Sequence, residues 1–267
     1  MSRGGKRSWK NADPTLRDAE GVEYGALELA YFCLAAFGSA VLHSVGGFAG
    51  ALMLAIAIAP VLGIKETVPV VAAAMVISHV SRAWLFRNAV DWPAFRLLFF
   101  AGMPFIVLGV MFYVELSEPA IALFLGTFLL IAMPLRRYLA GKSLAVPRRA
   151  LAVVAVPYGF LSGASFGVGM ILAPFLLGAG ITGEALVATA AVAGVMLNIT
   201  KTIAFGLSPL LTESMALLGV MLGLCTIPGH TVGRWIVRRT SVQLHTRVLE
   251  GFVLFGGLYM LWKGLNG

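Results

Sequence analysis

The sequence predicts an all-helical integral membrane protein with two structural repeats of about four transmembrane segments each. The first observation is composition: 59% of the residues are hydrophobic and only 12% are charged, which is too apolar for a soluble surface. The second is that similar glycine-rich stretches interrupt the first apolar segment of each half, near residues 46–50 and 163–169. We therefore expect the first helix of each repeat to be broken at its glycines.

The apolar segments are continuous runs, which are typical of membrane helices and not of barrel strands. Because a spanning helix needs about 20 apolar residues, the sequence predicts main segments at 26–45 (continued over 50–62), 67–86, 93–114, 118–139, 150–168 (continued over 169–180), 184–205, 212–233 and 247–265. The predicted organisation is a disordered cytoplasmic leader (1–25), a first repeat (26–139), a basic cytoplasmic linker (140–149) and a second repeat (150–267).

The formal charge of +8 is explained by the ends of the apolar runs, where Lys and Arg cluster, and nucleic acid is not an expected partner. The positive-inside rule assigns the N-terminus and the clusters at 82–96, 136–149 and 234–247 to the cytoplasm. We expect a multi-pass protein of the bacterial cytoplasmic (inner) membrane. Charge counting leaves open whether the second break turns the chain back, and with it the choice between parallel and inverted repeats.

The two halves also match in detail. A shift of 117 residues places Gly46 on Gly163 and Gly50 on Gly167. Downstream, each half carries a polar pair three residues apart, which shares one helix face. These pairs, His79/Arg82 and Asn198/Lys201, superpose at a shift of 119. A duplicated break that precedes a polar, basic helix face is the pattern we interpret as functional.

Backbone N–H groups and the positive ends of broken helices bind anions in transporters. Acidic residues are scarce within the predicted spans, so an anion is the expected substrate, with no cofactor or metal. The predicted substrate-binding residues are the hydroxyl, glycine, amide and ammonium groups of Ser44, Gly46, Gly47, Gly50, Ser162, Gly163, Ser165, Gly167, Asn198 and Lys201; gating or a proton relay is assigned to His43, His79 and Arg82. Proton coupling and a homodimer are further hypotheses.

Each of these residues has a structural alternative. The glycines could serve tight helix packing, Arg82 could snorkel to the interface, and His43 could be a neutral histidine satisfied by a neighbouring helix. His230 and His245 are expected at the membrane interface. Cys33 and Cys225 are expected to be inert buried thiols. None of these alternatives needs a ligand.

The segment from Gly163 to Gly167 matches G-x-S-x-G, the motif that presents a nucleophilic Ser165 in some hydrolases. That motif requires a strand–turn–helix context. The segment here belongs to a duplicated glycine element within predicted helices, and the expected protein is not an enzyme.

The chain resembles the TauE/SafE sulfite exporter family over residues 26–265. The resemblance lies in the duplicated glycine break, the junction Arg87–Trp92, Asn198-x-x-Lys201 followed by Phe205-Gly206, and the stretch Gly223–Arg239 with Gly229, Gly233, Arg234 and Arg238. The sequence departs from the family in the lower glycine density of residues 45–50 and in its charged leader.

The resemblance implies a secondary transporter that moves sulfite, organosulfonates such as sulfoacetate or related small anions, often outward. Three alternatives stay open from the sequence: a transporter of another anion such as a carboxylate, a membrane scaffold, and an intramembrane serine hydrolase.

Overall fold

A computed structural model describes residues 16–17, 23–46, 50–142, 144–237, 239 and 242–266. Ten α-helices make up nearly all of this part of the chain: α1 (Ala26–Gly46), α2 (Gly50–Leu62), α3 (Ile64–Leu85), α4 (Trp92–Glu115), α5 (Glu118–Gly141), α6 (Ala150–Ala164), α7 (Gly169–Gly178), α8 (Gly183–Gly206), α9 (Glu213–Val237) and α10 (Val242–Asn266). The predicted all-α class is confirmed.

Six of these helices, α1, α3, α4, α5, α8 and α9, are long and apolar enough to cross a membrane. Shorter apolar helices occupy 50–62, 150–164 and 169–178, which are the segments on either side of the predicted breaks. The largest buried apolar cluster joins residues of α1 to α5 with residues of α7 to α10. The chain is therefore a multi-pass membrane protein whose two broken helices pack within the bundle.

Part of the predicted leader has regular structure. Leu16–Arg17 and Glu23–Tyr24 form two short antiparallel strands, and the Tyr24 side chain is buried. The ring of Tyr24 contacts that of Phe32 edge-on, with centroids 5.5 Å apart. Tyr24 therefore packs on α1; the rest of the leader lies outside the described residues, and its disorder stays a prediction.

Both breaks turn the chain back on itself. The backbone N–H of Gly50 donates to His43, and Tyr31 donates to the carbonyl of Ala57, so α2 runs antiparallel to α1. In the second half, Val146 N–H donates to the Gly178 carbonyl, which brings the end of α7 beside the chain that enters α6. Each break therefore lies within a helical hairpin, in which the chain reverses direction. The sequence predicted that the first helix continues in the same direction after its break, and left a reversal open only for the second break.

The helices of the two halves pack against each other in reciprocal pairs. Helix α1 packs parallel to α9, shown by the contacts of Cys33 with Cys225 and of Phe37 with Gly229. Helix α4 packs parallel to α6, since Gly102 meets Ala155 and Gly109 meets Phe160. Helices α6 and α9 are the second-half equivalents of α1 and α4, so exchanging the halves converts the pair α1–α9 into the pair α6–α4. The pairs α3–α9 and α8–α4 correspond in the same way.

Helices α3 and α8 run in opposite directions. Asp91, just after α3, donates its N–H to Thr189 near the start of α8, whereas Tyr113 links the first residue of α3, Ile64, to Phe205 at the end of α8. Helices α2 and α7 begin 119 residues apart, and so do α3 and α8. The halves are therefore compatible with a duplication, and equivalent helices run inverted with respect to the bundle.

Charge separates the two ends of the bundle. One end, the basic face, carries Arg87, Arg96, Arg136, Arg137, Lys142, Arg148, Arg149 and Arg239, together with the acidic residues Asp91, Glu184 and Glu250. The opposite face carries Glu28, Glu66, Glu115, Glu118 and Glu213, together with Lys65 and Lys263. Helix α1 begins on this opposite face. Its partner α2 runs back toward the start of α1 and leads directly into α3, which begins on the same face. A cytoplasmic N-terminus and a cytoplasmic basic face, both predicted from charge, are therefore incompatible.

Candidate functional site

The two helical hairpins meet in the middle of the bundle, where the tip of the second lies against the start of α2. Residues 165–168 form the second tip, where Gly167 has a φ of +74°, a conformation that favours glycine. A Cβ placed on Gly167 would lie 3.3 Å from Leu52 Cβ, near the start of α2. Because each hairpin enters from its own end of the bundle, this contact is where the halves face each other.

A cavity of about 140 Å³ lies between the two hairpins and helices α3 and α8. It has room for a few water molecules or one small anion, at about 30 Å³ for each water. Eight of the predicted residues line it together: His43, His79, Arg82, Ser162, Ser165, Gly167, Asn198 and Lys201. No acidic side chain lines it within the described part of the chain. The structure thus brings residues from both predicted breaks and both polar pairs into one cavity.

Lys201 is the most buried cation of this cavity. Its residue is 3% exposed, and Nζ donates to the backbone carbonyl of Ser165 at 2.5 Å. This contact joins α8 to the tip of the second hairpin. An ammonium group has three donors, of which one is used in this bond. A cation buried within a membrane protein is costly without an opposite charge, so an anion at Lys201 would stabilise it.

Polar groups of α6 and α8 surround the same end of the cavity. Asn198 is 8% exposed, and its Nδ2 donates to the carbonyl of Gly194 one turn earlier. The Ser162 hydroxyl is buried and has no hydrogen-bond partner within the described part of the chain. A buried hydroxyl without a partner is unfavourable. A bound oxyanion beside Ser162 would provide the missing acceptor.

The other end of the cavity is formed by α1 and α3. Arg82 Nη1 lies 2.5 Å from Nε2 of His43, and the rings of His43 and His79 have centroids 5.9 Å apart. His43 is 3% exposed. The structure therefore places these three residues inside the bundle, and Arg82 contacts a cavity side chain instead of only extending to the membrane surface.

His230 belongs to this cluster, which the sequence interpretation missed. Its ring centroid lies 5.6 Å from that of His43, and Nε2 lies 2.8 Å from the Ser78 hydroxyl. Its predicted place at the interface is wrong, because α9 packs parallel to α1 and brings His230 beside His43. The signal in the sequence was weak, since only the pairing of α1 with α9 makes the two histidines neighbours.

Two predicted glycines stand beside the cavity without lining it. A Cβ on Gly163 would lie 2.1 Å from the carbonyl oxygen of Ile106, so this glycine contacts α4. Gly50 packs directly on the ring of His43. Gly46 is the last residue of α1, while the side chain of Ser44 and all of Gly47 lie outside the described residues.

Ser165 has neither the local fold nor the hydrogen bond of a hydrolase nucleophile. It follows α6 and precedes α7, so the context is helix–turn–helix. Its hydroxyl donates to the carbonyl of Phe166 at 3.3 Å. A nucleophile elbow needs a strand before the serine and a base beside it. This geometry gives the hydrolase hypothesis no support.

Comparison with known proteins identifies one family. The model of the family described as "Sulfite exporter TauE/SafE" matches residues 31–260 of this chain. No curated protein and no solved structure gives a significant match. The matched range begins in α1 and ends in α10, and therefore includes every helix that contributes to the cavity.

Proposed function

The chain belongs to the sulfite exporter TauE/SafE family, and we propose that it is a secondary transporter that exports sulfite, organosulfonates or related small sulfur-containing anions. The observation that carries this proposal is Lys201, a buried cation in a cavity where the two hairpins meet. Lys201, Asn198, Ser162 and Ser165 would bind the substrate.

The chemistry of this end of the cavity suits a sulfur oxyanion. Sulfite and sulfonates present several oxygens, and each oxygen accepts hydrogen bonds from cationic and neutral donors. Lys201 would offset the charge, while the Ser162 hydroxyl would supply a neutral donor. The cavity volume of about 140 Å³ lies well below the ~300–1,000 Å³ typical of sites for drug-sized ligands. Both charge and size therefore favour a small anion.

The inverted halves supply a route for transport. In many transporters the substrate lies near the bilayer midplane between broken helices, and rocking of one half against the other opens it to alternate sides. Here the Lys201–Ser165 contact joins one long helix to a hairpin tip. Substrate bound to the remaining donors of Lys201 would share the ammonium group with the Ser165 carbonyl, which couples the substrate site to this tip. Proton coupling and dimerisation stay predictions.

Transport into proteoliposomes tests the substrate class. We expect saturable uptake of radiolabelled sulfite, competition by sulfoacetate and methanesulfonate, and at least about tenfold weaker competition by acetate, because fewer acceptor oxygens reach the donors. Empty liposomes, and liposomes that contain a Lys201→Met variant, are the controls. Competition by acetate but by neither sulfonate would favour the carboxylate transporter instead.

A cavity lined by Asn198 and Lys201 also bears on the scaffold alternative. A scaffold needs no internal space and no buried cation. In a scaffold, the unfavourable free energy of burying the Lys201 ammonium group would serve no function. The cavity therefore favours transport over a purely structural role.

We propose that the protein lies in the bacterial cytoplasmic membrane with its basic face in the cytoplasm. On this assignment α1 begins on the external face, which replaces the cytoplasmic N-terminus predicted from charge alone. Cysteine labelling in a Cys33→Ser, Cys225→Ser background measures it. A membrane-impermeant maleimide should label Ser117→Cys and Gly25→Cys in intact cells, whereas Lys142→Cys should react only after permeabilisation.

Ser117, Gly25 and Lys142 are all exposed, so access to the reagent depends on the side of the membrane. Labelling of Lys142→Cys in intact cells, with Ser117→Cys protected, would reverse the orientation. Labelling of Gly25→Cys together with Lys142→Cys would contradict the turn at the first hairpin.

A further inference from the structure

The hydrogen bonds of His43 conflict with each other. Nδ1 of His43 accepts from the backbone N–H of Gly50 at 2.9 Å, and Nε2 lies 2.5 Å from Nη1 of Arg82. A guanidinium group carries donors and no acceptor. Both ring nitrogens of His43 therefore face donors.

A neutral imidazole has one N–H and one acceptor nitrogen. With the proton on Nε2, the ring accepts from Gly50 but sets its own N–H against Arg82. With the proton on Nδ1, it accepts from Arg82 but opposes the N–H of Gly50. An oxyanion that replaces this contact, with the Arg82 side chain moved back from His43, removes the conflict, because the guanidinium and Nε2–H both donate to the anion while Nδ1 still accepts from Gly50.

His79 points to the same ligand by a separate observation. Its Nδ1 is buried and has no hydrogen-bond partner within the described part of the chain. His79 and His43 line the cavity together with Arg82. In the tautomer with its proton on Nδ1, His79 would donate to an oxyanion in this end of the cavity, and a buried nitrogen that otherwise has no partner would be satisfied.

The positions of these residues repeat those around Lys201. His79 and Arg82 precede Asn198 and Lys201 by 119 residues, the same spacing that separates the starts of α3 and α8. His43 precedes Ser162 by the same interval. Each end of the cavity thus combines one cation and one nitrogen-bearing side chain from a long helix with a polar residue near a hairpin tip.

We propose that Arg82, His43 and His79 form a second oxyanion subsite, at the opposite end of the cavity from Lys201. The proposal rests on the proposed function, because the two subsites share the transport cavity. The ligand is an oxyanion group, either the second acidic group of a short bifunctional organosulfonate or a separate small anion. Two cationic side chains, Lys201 and Arg82, line the cavity, and two negative groups would match them in number.

Calorimetric titration of purified protein shows whether the oxyanion group at the second subsite belongs to a bifunctional ligand or to a separate small anion. The probes are sulfite and methanesulfonate, with one acidic group, and sulfoacetate and malonate, with two. If one ligand occupies both subsites, Arg82→Gln should weaken sulfoacetate binding at least about tenfold and change methanesulfonate binding less than about twofold. If two anions bind, sulfite should show two sites in the wild type and one in Arg82→Gln. Either result supports the subsite.

Unchanged sulfoacetate affinity together with unchanged sulfite stoichiometry in Arg82→Gln would overturn the proposal. Two further variants separate binding from folding: Arg82→Lys should restore most of the affinity, and His79→Asn, which copies Asn198, should retain more affinity than His79→Leu at equal thermal stability. Failure of the wild type to bind any sulfur anion would remove the proposed function alone. Malonate binding that depends on Arg82 would still support the second subsite.

Discussion

Lys201→Met is expected to weaken sulfite binding and transport severely while leaving the protein folded. Truncating one partner of a buried charge pair costs about 2–5 kcal/mol, and about 1.4 kcal/mol corresponds to a factor of ten. Sulfite affinity should therefore fall by about 30-fold or more, as measured by calorimetry and by proteoliposome uptake. In the substrate-free protein Lys201 is a buried cation held by one carbonyl, so its removal should not lower the thermal midpoint.

This combination distinguishes substrate binding from a structural role. If Lys201 served mainly to hold the second hairpin tip through Ser165, Lys201→Met would lower the thermal midpoint along with the affinity. Lys263→Met is the matched control, because Lys263 lies on the opposite face, is 38% exposed in its side chain and is 3.6 Å from Glu118. It should change neither property measurably. Wild-type sulfite affinity in Lys201→Met would remove Lys201 from the site.

Periodicity and composition were sufficient to predict the helices. Hydrophobic runs must be about as long as the bilayer is thick, so the predicted segment at 93–114 lies within α4 and that at 184–205 within α8. The breaks were visible for a different reason, since clustered glycines and serines disfavour a regular helix. Helix α1 ends at Gly46 and α2 begins at Gly50, while residues 165–168 separate α6 from α7, and both places are where the glycines predicted a break.

The direction of the chain after each break could not be predicted. A glycine-rich stretch permits either continuation or reversal, and only contacts distant in sequence decide between them. Tyr31 with Ala57 and Val146 with Gly178 record the reversals. The shift of 117 that aligned the glycines also differs from the spacing of 119 between helix starts, because common residues match by chance.

Part of the site could be predicted because charge within a membrane segment is rare and costly. Lys201, Arg82 and His79 stood out on this ground and His43 by its place beside the first break, and all four line the cavity. His230 did not, because its proximity to His43 depends on the parallel packing of α1 and α9. A single sequence contains no signal for that pairing, so a cluster drawn from both halves is visible only in the fold.

Gly163→Ala is expected to destabilise the whole protein and not only its substrate site. The added Cβ would lie 2.1 Å from the Ile106 carbonyl oxygen and 2.9 Å from the Val110 nitrogen, which are backbone atoms that cannot rotate away. Gly109 on α4 meets the carbonyl of Phe160 equally closely, so the two helices pack with almost no space between their backbones. Overpacking of this kind costs about 1–3 kcal/mol or more. We expect a lower thermal midpoint and less protein in the membrane.

Gly38→Ala is the matched control, because the same methyl group is added within α1, where no atom lies within 4 Å of the new Cβ. Alanine is the better helix former by about 1 kcal/mol, so this variant should be as stable as the wild type or more stable. The comparison also decides between the two interpretations of Gly163. A Gly163→Ala protein with normal stability but weakened sulfite binding would show that Gly163 belongs to the substrate site, as the sequence predicted. Loss of stability, with sulfite affinity retained in the fraction that folds, would show that it serves the packing of α4 against α6, and that the anion is held by the residues beyond it at the hairpin tip.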